Sequence, residues 1–388
     1  MTDFERRYGF ERSACHLGNW RERPYSQWSF QHVGEVVPSS VIACGEPTVL
    51  SDAADFEDIS VEVRDRNTDL STFLQQTETD ALLVSRGGEM VSEWTAPHAD
   101  RAKPHIIFSI SKSLTALLYA IVEEQGVIDL DKTAAHYWPQ AARSGYGDCP
   151  LRHVLDMRVS LAFEEEYLDA DGDYARYRRS TLWNPPRADK PNDDLGDLLC
   201  SLEKGEGEHG GAFQYLSPNS DMLGTVLEKA TGIRFADLLS QLVWQKMGAR
   251  SDALITVDAR GRPRAAGGVS VVAHDLLAVG EMICNDGAVG SRQIVPAAWI
   301  EDMRDAGDRD AWSAGNFAGF STIDRYRSQW YQLAAPSRVV MGIGIHGQFL
   351  YVDPATETVI VRMASQTLPI DQPQDEDWIS VFNQIAAL

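Results

Sequence analysis

Cysteine is scarce in this sequence: five among 388 residues, Cys15, Cys44, Cys149, Cys200 and Cys284, an odd number, widely spaced and in no metal-ligand pattern. That excludes a disulfide scaffold and reads as a cytoplasmic protein with free thiols. Basic residues are also few. Thirty-five Lys and Arg stand against 57 Asp and Glu, a net charge of −22 dispersed along the chain, which repels phosphate backbones and anionic lipid. Neither nucleic acid nor a membrane is therefore expected as a partner. No apolar run approaches the length of a transmembrane helix, and the first thirty residues carry charges throughout without the apolar core of a secretory signal. The nine histidines fall in no H-E-x-x-H or similar spacing, so no metal and no other cofactor is expected. Internal repeats and low-complexity tracts are missing too.

What is there is an ordinary globular composition, 44% hydrophobic and 24% charged. Residues 1–70 read as irregular, punctuated by Pro and Gly around "VVPSSVIACGEPTVLSD" and wrapping the main body. "ALLVSRGGEMVSEW" (81–94) gives two β-prone runs around Arg86-Gly87-Gly88, a hairpin signal. A helix apolar nearly all round follows through "HIIFSISKSLTALLYAIVEEQG" and stops at Gly126. From about 150 to 262 the signals are helical, and the densest loop is 163–194. There Ser217 is placed to cap the helix "LSPNSDMLGTVLEKATG", with Pro218 in its first turn and Gly232 as its stop. "RAAGGVSVVAHDLLAVGEMI" (264–283) reads as another helix. "VVMGIGIHGQFLYV" and "TVIVRMAS" pair as strands across Asp353-Pro354, and "DWISVFNQIAAL" closes as a helix. The pattern is α+β: a discontinuous sheet domain from 1–150 and 263–388, and a helical domain inserted at 151–262 that carries a lid loop at 163–194.

Chemistry concentrates in the central helix. Ser109 and Lys112 are three residues apart and share a face. A lysine desolvated there has its pKa pushed down, so a neutral amine is available to activate the serine hydroxyl. The pattern S-x-x-K is common by chance, and the chain holds a second copy, Ser201-Leu-Glu-Lys204, in polar surroundings that mark a solvated helix end. Tyr215, just before a predicted helix, is a candidate proton relay, partly as phenolate beside the lysine, or else a core aromatic. Gly342, Gly344 and Gly347 mark a strand whose backbone is closely approached, here by a substrate, and whose edge amide can serve an oxyanion hole. His346 sits on the same strand without an adjacent acid. Asp169, Asp171 and Asp173 resemble a calcium loop loosely but lack its terminal Glu.

Ser109-x-x-Lys112, Tyr215 and the glycine-rich strand together resemble the serine β-lactamase/penicillin-recognising superfamily, especially its class C-like esterases and peptidases. "VIDLDKTAAHYWP", "LRHVLDMRVSL", "LGTVLEKATGIRFADLL" and "AAGGVSVVAHDLLAVGEMI" extend the likeness over roughly residues 75–365. "HVGEVVPSS", "FSISKS", "LDMRVSLAFEEEYLD", "FQYLSPNSDML" and "GIGIHGQ" are similar to the 6-aminohexanoate-dimer hydrolases, the nylon-oligomer hydrolase family. The resemblance implies a β-lactamase-like fold, an antiparallel sheet flanked by helices with an inserted all-helical domain. It implies Ser109 as nucleophile, Lys112 as base, Tyr215 as proton relay and the Ser109 and Ile345 amides as oxyanion hole. Tyr167 would close over the substrate on a mobile loop. Trp183, Trp330, Tyr331, Gly344 and His346 are expected as further substrate contacts, and Arg178 as one that could instead select an anionic substrate.

Two departures bear on substrate. Position 217 is Ser where β-lactamases and D,D-peptidases carry Asn, and Gly342-Ile343-Gly344 replaces their Lys-Ser/Thr-Gly, which removes the cation that holds a penicillin carboxylate. Around Tyr177-Arg178-Arg179 the chain is basic where strong dimer hydrolases carry a carboxylate, and Trp330-Tyr331 stands where they have paired tryptophans. The expectation is a cofactor-independent serine hydrolase of small linear amides and short esters, soluble and cytoplasmic, with a homodimer possible. The alternatives are a carboxylesterase, a D-amino-acid peptidase or weak β-lactamase, and a non-catalytic penicillin-binding-type sensor.

Overall fold

Two segments far apart in sequence, Thr79–Arg86 and Thr358–Ala364, are buried at almost every position, the mark of strands covered on both faces. In the computed structural model, which describes residues 1–50, 54–190 and 193–388, they lie side by side at the heart of a seven-stranded sheet. Its order is Ile323–Arg327, Trp330–Leu333, Val340–Gly344, Gln348–Asp353, Thr358–Ala364, Thr79–Arg86 and Glu89–Thr95. Every neighbouring pair is antiparallel, with Ile360 opposite Val84 at the centre.

Alternate residues of these strands serve two cores, as a two-residue period requires. Leu83, Leu350, Val352, Val359 and Val361 pack with the helices Ile110–Glu124 and Ala273–Cys284. Leu82, Val84, Phe349, Tyr351 and Ile360 pack with Trp378, Ile379 and Phe382 of the C-terminal helix Gln372–Ala386. The first core continues into the helices between residues 151 and 247, so the sheet and the helical region share one apolar interior. A four-stranded sheet, ordered Ser39–Ile42, Ala253–Thr256, Val269–Val271 and His105–Ile106, ties the N-terminal arm to the entrance of helix Ile110–Glu124.

The hairpin at Gly87-Gly88, the stop at Gly126 and the terminal helix stand where the sequence puts them. Four elements differ. Ser217 is the first helical residue of Ser217–Thr231 and not its cap, because both its amide and its hydroxyl bond to Glu165 from another loop. The run 264–283 divides into a strand, Val269–Val271, and a helix, Ala273–Cys284. The run 340–353 divides as well: His346 and Gly347 take φ of 62° and 84°, which turns one expected strand into a hairpin. The expected lid loop contains a helix, Asp173–Ser180, while its residues 191 and 192 lie outside the described residues. Residues 1–70 also hold more order than their composition suggests, including the hairpin Ser60–Val63 with Arg66–Asp69.

Candidate active site

The stretch "IIFSISKS" turns from strand to helix within a few residues. His105 and Ile106 pair with Val271 and Ser270, Phe108 takes a left-handed φ of 42°, and Ser109 is the N-cap of helix Ile110–Glu124. A bulky residue at that φ is strained and persists only when its surroundings hold it. The rings of Trp20, Phe30 and Trp183, at 5.0–6.4 Å, do so. An N-cap serine ordinarily accepts a bond from its own helix. Ser109 makes no such bond, which leaves its oxygen for Lys112.

Lys112 is buried, and its Nζ donates to Ser109 Oγ at 2.8 Å and to the Ala266 carbonyl at 2.7 Å. Burial lowers its pKa to about 7, with the Glu165 carboxylate acting in the opposite direction. A substantial neutral fraction is thereby present at neutral pH, and the same contact then runs from the serine hydroxyl to the amine. The Ala266 carbonyl is fixed in turn: its amide donates to Asp221 Oδ1 at 2.8 Å, and Asp221 forms a fully buried ion pair with Arg264 that Tyr177 also joins.

Tyr215 lies across this pair, its ring centroid 4.8 Å from Lys112 Nζ. Its hydroxyl meets Ser109 and Tyr331, and its ring stacks on Phe317 at 4.9 Å. Burial raises the phenol's pKa, the Glu165 carboxylate raises it further, and the bond with Ser109 opposes them. The phenolate considered from sequence is thus disfavoured: Tyr215 is a neutral phenol on the wall of the cavity.

The strand Val340–Gly344 runs past the head of this helix. A Cβ at Gly344 would stand 2.5 Å from the Ile107 carbonyl and 3.1 Å from the Ser109 amide, and one at Gly342 would meet Ile110 and Ser113. The close approach marked by these glycines is made by the nucleophile helix, not by a substrate. It brings Ile345 beside Ser109, and among the described residues neither amide donates a hydrogen bond. Both residues line a cavity of about 170 Å³ with Tyr167, Tyr215, Phe317 and Tyr331. An adjoining opening of about 240 Å³ shares Tyr167 and Tyr215 and adds Glu165, Leu168 and Leu368.

Glu165 escapes a sequence reading because it stands in the acidic run "FEEEYLD". Its carboxylate accepts from the Ser217 hydroxyl at 2.6 Å, from the Ser217 amide and from the Tyr167 hydroxyl at 2.6 Å. Asp221, Arg264, Asn316 and Phe317 were equally unmarked: nothing in their local sequence separates them from solvated or core residues.

The remaining candidates divide. Tyr167, Tyr331 and Gly344 line the cavity. Trp330 faces the opposite side of its strand and is fully buried in the first core. Trp183 is also fully buried, with Nε1 donating to Thr256 Oγ1 at 3.0 Å. Arg178 donates to the Tyr167 carbonyl at 3.0 Å and lies 5.0 Å above the Tyr174 ring, so its charge braces the loop. His346 packs on Phe30 and Phe108 and bonds through Nδ1 to the Gln366 carbonyl at 2.7 Å; burial pushes its pKa down to about 4. None of these four lines the cavity of Ser109. The second S-x-x-K is a surface feature, with Lys204 bonded to Asp148 at 2.8 Å. Asp171 pairs with Arg187 at 2.7 Å and Lys190 at 3.3 Å.

Comparison with known proteins places the fold and the family. The beta-lactamase family model matches residues 67–381. A 6-aminohexanoate-dimer hydrolase of Paenarthrobacter ureafaciens is 34% identical over 349 residues, 90% of this chain and 88% of that protein. A Bacillus anthracis structure, provisionally named as a 6-aminohexanoate-dimer hydrolase, superposes with a TM-score of 0.85 at 23% identity, covering 97% of each chain. A family VIII carboxylesterase shares the fold at a TM-score of 0.56 and 15% identity, over 81% of this chain and 94% of that one.

Proposed function

The chain belongs to the beta-lactamase family, and on that premise we propose that it hydrolyses small linear amides of the 6-aminohexanoate-dimer kind, and short esters, through an acyl-enzyme on Ser109. The contact of Lys112 Nζ with Ser109 Oγ at 2.8 Å, on a buried lysine with its pKa lowered to about 7, carries the reading. Neutral Lys112 takes the serine proton as Oγ attacks the carbonyl carbon. The oxygen that becomes negative is received by the Ser109 and Ile345 amides, each such donor being worth about 10²–10³ in rate. Tyr215 passes a proton to the departing nitrogen or oxygen and is replenished from Lys112, after which water attacks the acyl ester by the same route.

The substrate class rests on the Paenarthrobacter relative's named activity and on the absence of a lysine at Gly342-Ile343-Gly344, which counts against penicillins. The cavity favours short acyl chains, since Tyr167, Phe317, Phe320, Tyr331 and Ile343 give it a largely aromatic and apolar wall. Release of amine from the linear 6-aminohexanoate dimer, beside cleavage of a short p-nitrophenyl ester, tests the proposal. Both should occur in the wild type and fall by at least ~10³ in Ser109→Ala. Ester cleavage alone would keep the mechanism and reject the amide substrate; unchanged turnover in the variant would reject the nucleophile.

A further inference from the structure

Within the cavity of Ser109 one carboxyl group has no task in this mechanism. Asp375, in the first turns of the C-terminal helix, is 9% exposed, and that exposure opens into the cavity between Phe320, Ile343 and Ile370. Among the described residues neither of its oxygens accepts a hydrogen bond, and no cation lies within 4 Å of it. Among the described residues it is the only charged side chain lining that space. A buried carboxyl group ordinarily finds partners, because leaving it unsatisfied costs the desolvation of a polar group.

The nearest compensating charge is already engaged. Arg362, on the strand beneath, donates to Thr79 Oγ1 at 2.9 Å, to the Gly347 carbonyl at 2.7 Å and to the Thr77 carbonyl at 2.6 Å, and lies over the Trp378 ring at 4.3 Å. It influences Asp375 through space only. Burial raises the Asp375 pKa to about 7, Arg362 opposes this, and Asp371 at the helix cap adds to it. The other titratable groups on the cavity wall are the phenols of Tyr167, Tyr215 and Tyr331. An acid in this state gains most from a ligand that brings its own positive charge and N–H donors. The aromatic residues Phe317, Phe320 and Tyr331 line the same cavity, and aromatic rings are compatible with a bound cation.

We propose that Asp375 is the specificity-determining residue of this cavity and receives an aliphatic primary ammonium carried by the substrate. The proposal rests on the reading of the cavity as the acyl-transfer site. Asp375 puts a carboxylate on the cavity wall from the C-terminal helix, whereas Arg178, in the basic loop, does not line the cavity. Substrates whose chain ends in an amine are thereby selected over those ending in a methyl or hydroxyl group.

Binding without turnover separates this proposal from the catalytic one. Ligand-observed NMR titration at about pH 8, where the acid is largely ionised, compares n-butylamine with its neutral counterpart 1-butanol. The wild type should bind the ammonium at least about tenfold more tightly, and Asp375→Asn should bring that ratio close to one. Equal affinities in the wild type, or a preference that survives in Asp375→Asn, would overturn the assignment. Should the Asn variant not fold, Asp375→Ser carries the same test, and the wild-type ratio stands by itself. Neither result depends on whether Ser109 turns over an ester, so loss of the catalytic reading would be visible separately.

Discussion

On the proposed mechanism, Lys112 sets the pH dependence of turnover. Its folded pKa is lowered from the ordinary 10.5 to about 7, and only the neutral amine accepts a proton. As pH rises towards about 7, kcat/KM for a neutral p-nitrophenyl ester should therefore increase close to tenfold per unit, then level off. A limb near the ordinary lysine value would show that the base is not buried in the working enzyme. At Gly344 the constraint is steric. A methyl group would press on the Ile107 carbonyl at 2.5 Å and the Ser109 amide at 3.1 Å, both backbone atoms that cannot swing aside. Gly344→Ala should lower kcat/KM by roughly 10² or more through displacement of the oxyanion donors, while the folded fraction measured by circular dichroism stays high. Normal turnover would mean that the strand yields without cost.

Among the elements, helix Ser217–Thr231 shows how the site is coupled to its surroundings. A helix begins with unpaired N–H groups and a positive partial charge. Here a carboxylate from a distant loop, Glu165, meets that end through Ser217 and also holds the Tyr167 hydroxyl. The same charge opposes the lowering of the Lys112 pKa. Glu165→Gln removes it, so the acid limb of the pH profile should move to lower pH, and stability should fall by about 1–2 kcal/mol in urea unfolding. A limb that stays in place or moves upward would break the link between helix end and base.

At the scale of the whole molecule, the N-terminal arm packs against the turn that presents Ser109, and on the proposed mechanism it supports catalysis. Trp20 is fully buried, donates to the Trp183 carbonyl at 3.1 Å and lies against Phe108, the residue whose left-handed backbone sets up the Ser109 turn. Trp20→Ala should cost about 3–5 kcal/mol and, at temperatures where the variant is still folded, reduce kcat as Phe108 relaxes. Loss of stability with kcat untouched would make the arm a wrapper only. The arm was the least readable part of the chain, since its tryptophans and arginines have no regular period and the contacts that link Trp20 to the site, with Phe108 and Trp183, come from partners more than 80 residues away.

The sequence by itself determined the chemistry that local order can encode. Ser109 and Lys112 share a helical face because three residues nearly complete a turn, and an apolar stretch around them ensures the burial that lowers the lysine pKa and leaves a neutral amine. Tyr215 could be marked as a candidate but not placed. Tertiary structure decided the rest: strand alternation sends Tyr331 to the cavity and its neighbour Trp330 to the core. It also sets Glu165, half-buried, and Asp375, buried, on two adjoining openings of the cleft, although both stand in acidic stretches like many others. The reason is physical. A residue's spacing along the chain fixes which neighbours it meets on its own element, whereas its desolvation, and so its charge state, depends on surfaces brought together only by folding.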